Sequence, residues 1–353
     1  MRTGTASWAI ASVFFAGLSS LSAAATPLVD VRVSSDTTVA LGTTVVHDED
    51  VAKDSLAGTP TLLSVGSIPS AADLDAYSVR ANGDQLLSFD TTVVLPGGVT
   101  ARPGDVVRYN GASYVMEFDA AARGVQNGVD VDALAIYGDS FLLSFDVSVD
   151  LNGVHFEDED LVRFDGATFS MFFDGSAAGV NSSLDLDAVD YIECNDHLLL
   201  SFDGSGTIGG VDFDDEDVLE YDRVSLWSMA YDGSVQSPSW VAADLDAVQA
   251  TVNLGPGPPV VFGQTLEADA NKVVVRWSSS VAFRAVRGPF ASSTNIGSYS
   301  VSFTATGSGT SVSDPSTPAP GTGYWYLVRR GGCIQSSWQS SLGAEPGRDA
   351  TLP

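Results

Sequence analysis

The sequence predicts an all-β protein made of repeats, with a second all-β module behind them. Three observations point there. The chain holds 35 Gly and 15 Pro among 353 residues, alongside many Val, Thr and Ser, which favours short strands and frequent turns over helices. The string Asp-x-Asp-Ala recurs at Asp73–Ala76, Asp130–Ala133, Asp185–Ala188 and Asp244–Ala247, with spacings of 57, 55 and 59. Charge also changes abruptly along the chain. Residues 28–253 carry 40 acidic and 8 basic side chains, a net of −32, whereas residues 254–353 carry a net of +2. The boundary falls at Leu254-Gly-Pro-Gly-Pro-Pro259, a stiff segment that continues neither strand nor helix.

Taken in order, the chain opens with the marks of an export signal over residues 1–25. Arg2 supplies the positive start, Trp8 to Leu18 a short apolar stretch, and Ala23-Ala24-Ala25 a small-residue cleavage site. The apolar run is too short to span a bilayer, and no cysteine follows it for a lipid anchor. The expected product is a bacterial protein that is secreted, extracellular or periplasmic, monomeric and not inserted in a membrane. Such a compartment permits a bridge between the two cysteines, Cys194 and Cys333, without establishing one.

Residues 28–253 carry the repeats. Ser-Phe-Asp recurs at Ser88–Asp90, Ser144–Asp146 and Ser201–Asp203. Val106-Val-Arg-Tyr109, Leu161-Val-Arg-Phe164 and Val218-Leu-Glu-Tyr221 form a third block, and Met116–Asp119, Met171–Asp174 and Met229–Asp232 a fourth. Each block reads as a short strand. In Leu198–Asp203 the set Leu198, Leu200 and Phe202 alternates with Leu199, Ser201 and Asp203, giving one more apolar face. Asp165-Gly166, Asn110-Gly111 and Gly138-Asp139 suit tight hairpins between blocks. One repeat is then about four strands.

Residues 31–67 align without gaps to 198–234, so the mature chain starts with the second block of a repeat. Asp36 falls on Asp203, and Asp48-Glu49-Asp50 on Asp215-Glu216-Asp217. The missing first block stands alone at the other end, from Asp244 to Asn253. Joining the two fragments closes a ring and removes the exposed edges that β proteins must otherwise manage. The pattern resembles the closure of β-propellers, and Leu134–Phe145 is similar to a propeller-blade hairpin. That resemblance implies a four-bladed β-propeller over 28–253, closed by N- and C-terminal fragments of one repeat.

A Pro/Gly linker, 254–262, leads to residues 263–353. Val273–Trp277, Phe283–Val286, Tyr299–Phe303 and Tyr324–Val328 are strand-like, and about seven short strands suit an Ig-like β-sandwich. With Trp277 early and Pro320-Gly-Thr-Gly-Tyr-Trp-Tyr-Leu-Val328 late, the segment resembles a fibronectin type III domain. Leu327–Ala350 also resembles the closing stretch of modules in secreted bacterial proteins, which would pair Cys333 with a nearby cysteine. None is near it, so a local disulfide is ruled out. Such modules imply spacing or attachment.

Chemistry points to the acids. In a closed ring Asp73/Asp75, Asp130/Asp132, Asp185/Asp187 and Asp244/Asp246 occupy equivalent points. The acidic clusters at Glu157-Asp-Glu-Asp160 and Asp214-Asp-Glu-Asp217 add Asp158, Asp160, Asp215 and Asp217. Carboxylates without nearby cations suit Ca²⁺, a hard ion that takes several oxygen ligands. The competing reading is that these aspartates cap strands and form Asx-turns. The second repeat departs from the cluster pattern, with Arg102-Pro-Gly-Asp105 in its place. His47, His155 and His197 are too dispersed for a zinc site, and no Gly-x-Ser-x-Gly elbow occurs. The strong negative charge excludes nucleic acid and anionic membrane surfaces as partners. Marks that recur in most repeats favour binding or stability over catalysis, so the reading is an exported non-enzymatic binding or structural protein with calcium at repeated acidic sites. Its partner would be an extracellular glycan or protein. The alternative is an extracellular carbohydrate-active enzyme using a pair of propeller carboxylates. No catalytic residue is singled out.

Overall fold

The computed structural model describes residues 25–252, 267–268, 274–290, 301–316 and 323–330. Residues 1–24 of the expected export signal and the linker 254–262 lie outside the described residues, as does Cys333.

Residues 28–252 form repeated four-stranded antiparallel sheets, in keeping with a propeller-type fold. Sheet II runs Ala76–Val79, Gln85–Ser88, Val106–Tyr109, Tyr114–Phe118. Sheet III runs Leu134–Tyr137, Ser140–Leu143, Leu161–Phe164, Phe169–Phe173, and sheet IV Ala188–Ile192, His197–Ser201, Val218–Tyr221, Trp227–Tyr231. Sheet I draws its first strand, Ala247–Val252, from the far end of the repeat region and pairs it with Leu28–Ser34, followed by Val51–Asp54 and Thr61–Leu63. The pairing is antiparallel, with Val31 opposite Ala250 and Val33 opposite Val248.

The Asp of each Ser-Phe-Asp block explains why that motif recurs. The Oδ1 atoms of Asp90, Asp146 and Asp203 accept the backbone N–H of Asp73, Asp130 and Asp185 at 3.2, 2.8 and 2.8 Å. Their own N–H groups donate back to those residues' carbonyls. Asp36 and Asp244 make the same reciprocal pair, at 2.8 and 3.2 Å. A junction between distant parts of the chain is thus built from the same bonds as the junctions inside the continuous repeats.

Four apolar clusters lie between successive sheets. Leu87, Val107 and Tyr77 of sheet II pack with Val51 of sheet I, and Leu86 and Phe118 pack with Phe141 and Phe164 of sheet III. Leu142 and Phe173 of sheet III meet Leu198, Leu200 and Tyr221 of sheet IV. Leu199 and Tyr231 of sheet IV meet Val31, Val33 and the fully buried Trp240. The alternation expected in Leu198–Asp203 is therefore real in direction, but both faces are apolar, because each sheet is sandwiched by two neighbours. Leu199 is as deeply buried as Leu198.

Each repeat also inserts a two-stranded ribbon between its second and third strands, which the block pattern does not show. These are Val39–Leu41 with Thr44–Val46, Val93–Leu95 with Val99–Ala101, Val149–Leu151 with Val154–Phe156, and Gly206–Ile208 with Val211–Phe213. Asn152 and Gly153 turn the third ribbon with φ of 53° and 80°, the left-handed pair that a two-residue hairpin needs. After the fourth strand comes a one-turn helix, Ala120–Arg123, Gly175–Ala178 or Gly233–Gln236. Its N-cap is the Asp that ends the fourth block. Asp119, Asp174 and Asp232 accept the N–H of Ala122, Ala177 and Val235 at 2.8–3.0 Å.

In the second module, Glu267–Ala268, Val274–Phe290, Phe303–Ser313 and Gly323–Arg330 make one antiparallel sheet. Of the runs read as two strands, residues 274–277 and Phe283–Val286 belong to one 17-residue strand, Val274–Phe290, and Val273 lies outside the described residues. A register shift between Arg276 and Val281 absorbs the serines between them, none of which fixes a turn. The run read as Tyr299–Phe303 is strand only from Phe303, where Phe303–Ser313 begins, and residues 299–300 lie outside the described residues. Arg287 and Asp314, both buried, pair at 2.6 Å, and Tyr326 donates to Asp314 at 2.9 Å. Cys194 is buried and disulfide-bonded. Among the described residues no helix is long and apolar enough to cross a membrane.

A Cβ added at Gly175 or Gly233 would lie 2.4 Å from the carbonyl oxygen of Glu159 or Glu216, fixed backbone that cannot yield. Gly175→Ala and Gly233→Ala should each cost roughly 2 kcal/mol in urea denaturation. An alanine at Gly83, which has open space but φ of 90°, serves as the strain-only control.

Candidate functional site

The first strands of the four sheets stand beside one another: Ala76–Val79 next to Leu134–Tyr137, that next to Ala188–Ile192, that next to Ala247–Val252, and the last next to Ala76–Val79 again. The Asp-x-Asp-Ala motifs immediately precede these strands, so their aspartates gather at one end. Small alanines at 76, 133, 188 and 247, all fully or nearly buried, let the strands approach. The eight aspartates are half-buried.

Proximity shows in their titration. Burial, then the Asp132 charge, pushes Asp75 up to about 9. Burial and Asp185 raise Asp132 to about 8. Burial and Asp244 lift Asp187 well above the ordinary carboxylate range. Burial with Asp73 and Asp75 takes Asp246 to about 10. Each second aspartate thus senses a neighbour from the next sheet. The first aspartates rise less: Asp73, Asp185 and Asp244 to about 7 and Asp130 to about 6, with burial leading in each case.

Carboxylate oxygens of Asp132, Asp185 and Asp187 lie within 4.8 Å of one another. Asp73 Oδ1 and Asp246 Oδ2 are buried without a hydrogen-bond partner. Three hard oxygens at that separation fit a divalent cation such as Ca²⁺, which draws carboxylates together and completes its shell with carbonyls or water.

The acidic turns divide. Asp158 and Asp215 join the aspartate cluster, since Asp158 acts on Asp132 and Asp185, and Asp215 on Asp244. Asp48 plays the same part toward Asp73, a position the block pattern offered through its alignment with Asp215. Asp160 and Asp217 are engaged elsewhere. Asp160 accepts the N–H of Glu157 at 2.9 Å and of Gly175 at 3.0 Å, and Asp217 those of Asp214 and Gly233 at 3.0 Å. Asp105 holds Arg102 and Ala120 in the same way. Asx-turn capping is therefore the role of this set. Sequence reasoning overlooked Glu159, which is fully buried with both carboxylate oxygens unpartnered and pushed up to about 7 by burial.

Where the first strands end, a cavity of about 630 Å³ opens, lined by Ser78–Asn82, Ile136, Gly138–Phe141, Asp190–Cys194, Gln249, Ala250 and Val252. All four sheets contribute. Unlike the aspartates, the fifth residue after the first Asp of each motif differs between repeats: Ser78, Asp190 and Gln249 line the cavity, whereas Ala135 does not. Asp190, raised to about 6 by burial, accepts the N–H of Tyr191 and Ala250, both at 2.9 Å.

No family model matches the chain, and no curated protein does. Among solved structures, virginiamycin B lyase from Staphylococcus aureus is similar with a TM-score of 0.28 and 7% identity, over 59% of this chain and 74% of that one. The extracellular domain of a putative one-component system from B. thetaiotaomicron has a TM-score of 0.29 and 9% identity, over 72% of this chain and 44% of that one. YCF48 from Cyanidioschyzon merolae has a TM-score of 0.24 and 10% identity, over 52% of both chains. Similarity this slight carries no weight for ligand or activity.

Because the clustered carboxyls hold protons in the fold at pH values where the unfolded chain has released them, rising pH works against folding. Their contribution is complete below about pH 4 and drains away as pH climbs through the folded values of about 6 to 10. With a chelator present, the urea midpoint should fall between pH 5 and pH 9. The slope is about 1.4 kcal/mol per pH unit for each carboxyl still protonated.

Proposed function

We propose that this chain is an exported, non-enzymatic binding or structural protein: a closed four-bladed acidic propeller over 28–253 whose aspartate ring takes calcium, joined to a fibronectin-like spacer. The carrying observation is the trio Asp132, Asp185 and Asp187, with oxygens within 4.8 Å and no Lys or Arg among the groups that shift them. Such a cluster either holds protons or holds a cation, and outside the cell millimolar Ca²⁺ competes with protons for it. Closure is supported by the pairing of Leu28–Ser34 with Ala247–Val252 and by the apolar cluster between sheets IV and I.

The ligand would enter the cavity at the other end. A volume of about 630 Å³, with Arg80, Asp139, Glu193 and Gln249 beside Phe141 and Tyr191, suits a polar extracellular ligand, a glycan or a segment of protein. Asp190 spends both oxygens on backbone amides, a role in holding the strands together.

Thermal melts decide the cation. At pH 7.5, Ca²⁺ at a hundred times its Kd should stabilise the protein by about 2.7 kcal/mol relative to EDTA, and identical melting temperatures would remove the proposal. In EDTA at pH 8, Asp187→Asn should melt higher than the unaltered protein, because the amide is neutral without the proton that Asp187 must bind on folding, and it should lose most of its response to Ca²⁺. A glycan array on the calcium-loaded protein tests the cavity.

A further inference from the structure

One position breaks the repeat pattern of charge. In each repeat, a residue in or just before the second strand faces one of the third diagonally. In sheet I the pair is Asp30 with Lys53, at 3.3 Å, and in sheet II Asp84 with Arg108, at 2.8 Å. In sheet III it is Ser140 with Arg163, at 3.1 Å. Sheet IV reverses the order, placing His197 first and Glu220 second, at 2.5 Å. Three repeats put a cation where the fourth puts an acid. Glu220 is only 3% exposed, and a carboxylate so deeply buried calls for a positive partner.

The chain brings something else to that acid. Thr26, itself buried, points its backbone N–H at Glu220 Oε2 at 2.5 Å, and its hydroxyl donates to Oε1. Asn195 Nδ2 donates to the same hydroxyl at 2.9 Å. Pro27 follows, which restricts Thr26 to extended conformations and presets this approach. Thr26 also comes directly after Ala23-Ala24-Ala25, the small-residue stretch read as the cleavage site.

We propose that the exported chain is cut between Ala25 and Thr26 and that the new α-ammonium of Thr26 seats on the Glu220 carboxylate. The inference rests on reading residues 1–25 as an export signal. An export peptidase breaks the Ala25–Thr26 C–N bond by adding water, so Ala25 leaves with the new carboxylate and Thr26 takes the proton to become ammonium. An amide donor is thereby replaced by a full positive charge at the one position where the repeat register supplies a buried acid instead of a cation. Processing completes an ion pair that the unprocessed chain cannot make, tying the opening segment to sheet IV.

The full-length chain, expressed in an exporting host, gives the first measurement: intact mass and N-terminal sequencing of the exported product. Thr26 as first residue is expected. A product that keeps residues 1–25 overturns the export reading itself, whereas cleavage at another bond overturns only the present proposal. Next, the mature protein is compared with one that retains Ala24 and Ala25, each with and without Glu220→Gln. The extension should lower Tm by roughly 5 °C when Glu220 is present and by far less in the E220Q background. Equal melting of the mature and extended proteins with Glu220 present would sink the idea. A readout independent of any variant is periodate oxidation of the amino alcohol of an N-terminal threonine. Because Glu220 holds both its amine and its hydroxyl, Thr26 should react at least about tenfold more slowly in the folded mature protein than in urea. Equal rates would show that the amine is free.

Discussion

The hydrogen-bonded ladder between Leu28–Ser34 and Ala247–Val252 is the constraint on which the rest depends. Each sheet has two apolar faces, so none can stand at the end of a row without exposing one. Leu199 and Leu198, neighbours in one strand, serve two different cores, and both are fully buried. Without the ladder, sheet I would lose its first strand, and sheet IV would lose the surface that covers Leu199 and Tyr231. The Asp36–Asp244 pair then sets the aspartates of that sheet level with the others.

That same geometry produces the electrostatic problem. Repeating Asp-x-Asp-Ala four times makes a good strand entry each time, because the first aspartate's amide and carbonyl lock onto the Asp of a Ser-Phe-Asp turn in three repeats and onto Asp36 in the fourth. Bringing the entries together concentrates carboxylates where burial already disfavours charge. Local folding and the gathering of the strand entries therefore pull in opposite directions, and the carboxyls answer by holding their protons well above the ordinary range. The cavity at the other end carries no such burden, and there the repeats are free to differ, as Ser78, Asp190 and Gln249 do.

Much of this was legible in the residues. The ungapped match of 31–67 to 198–234 pointed to the pairing of the first and last strands, and the block order matches the strand order of each sheet. The ribbons were not legible, because three-residue strands such as Val39–Leu41 are too short to set a period. Nor does a sequence distinguish an aspartate that caps from one that joins a cluster of carboxylates. Asp158 and Asp160 stand two residues apart, yet one acts on Asp132 and the other turns away to hold Glu157 and Gly175. The reversal at Glu220 was visible in Val218-Leu-Glu-Tyr221, but its meaning required seeing Thr26 arrive from elsewhere in the chain.

The ladder between the two ends also sets a schedule. Arg32 and its partner Gln249 stand 217 positions apart, so the second strand of sheet I is made early and finds its first strand only after nearly the whole domain has been synthesised. At ordinary translation speeds that interval is roughly 10 to 40 s. Until then an edge of Val31 and Val33 stays open, a template for pairing with any other chain. A protein arranged in this way has to keep that edge away from other chains until its last strand is made.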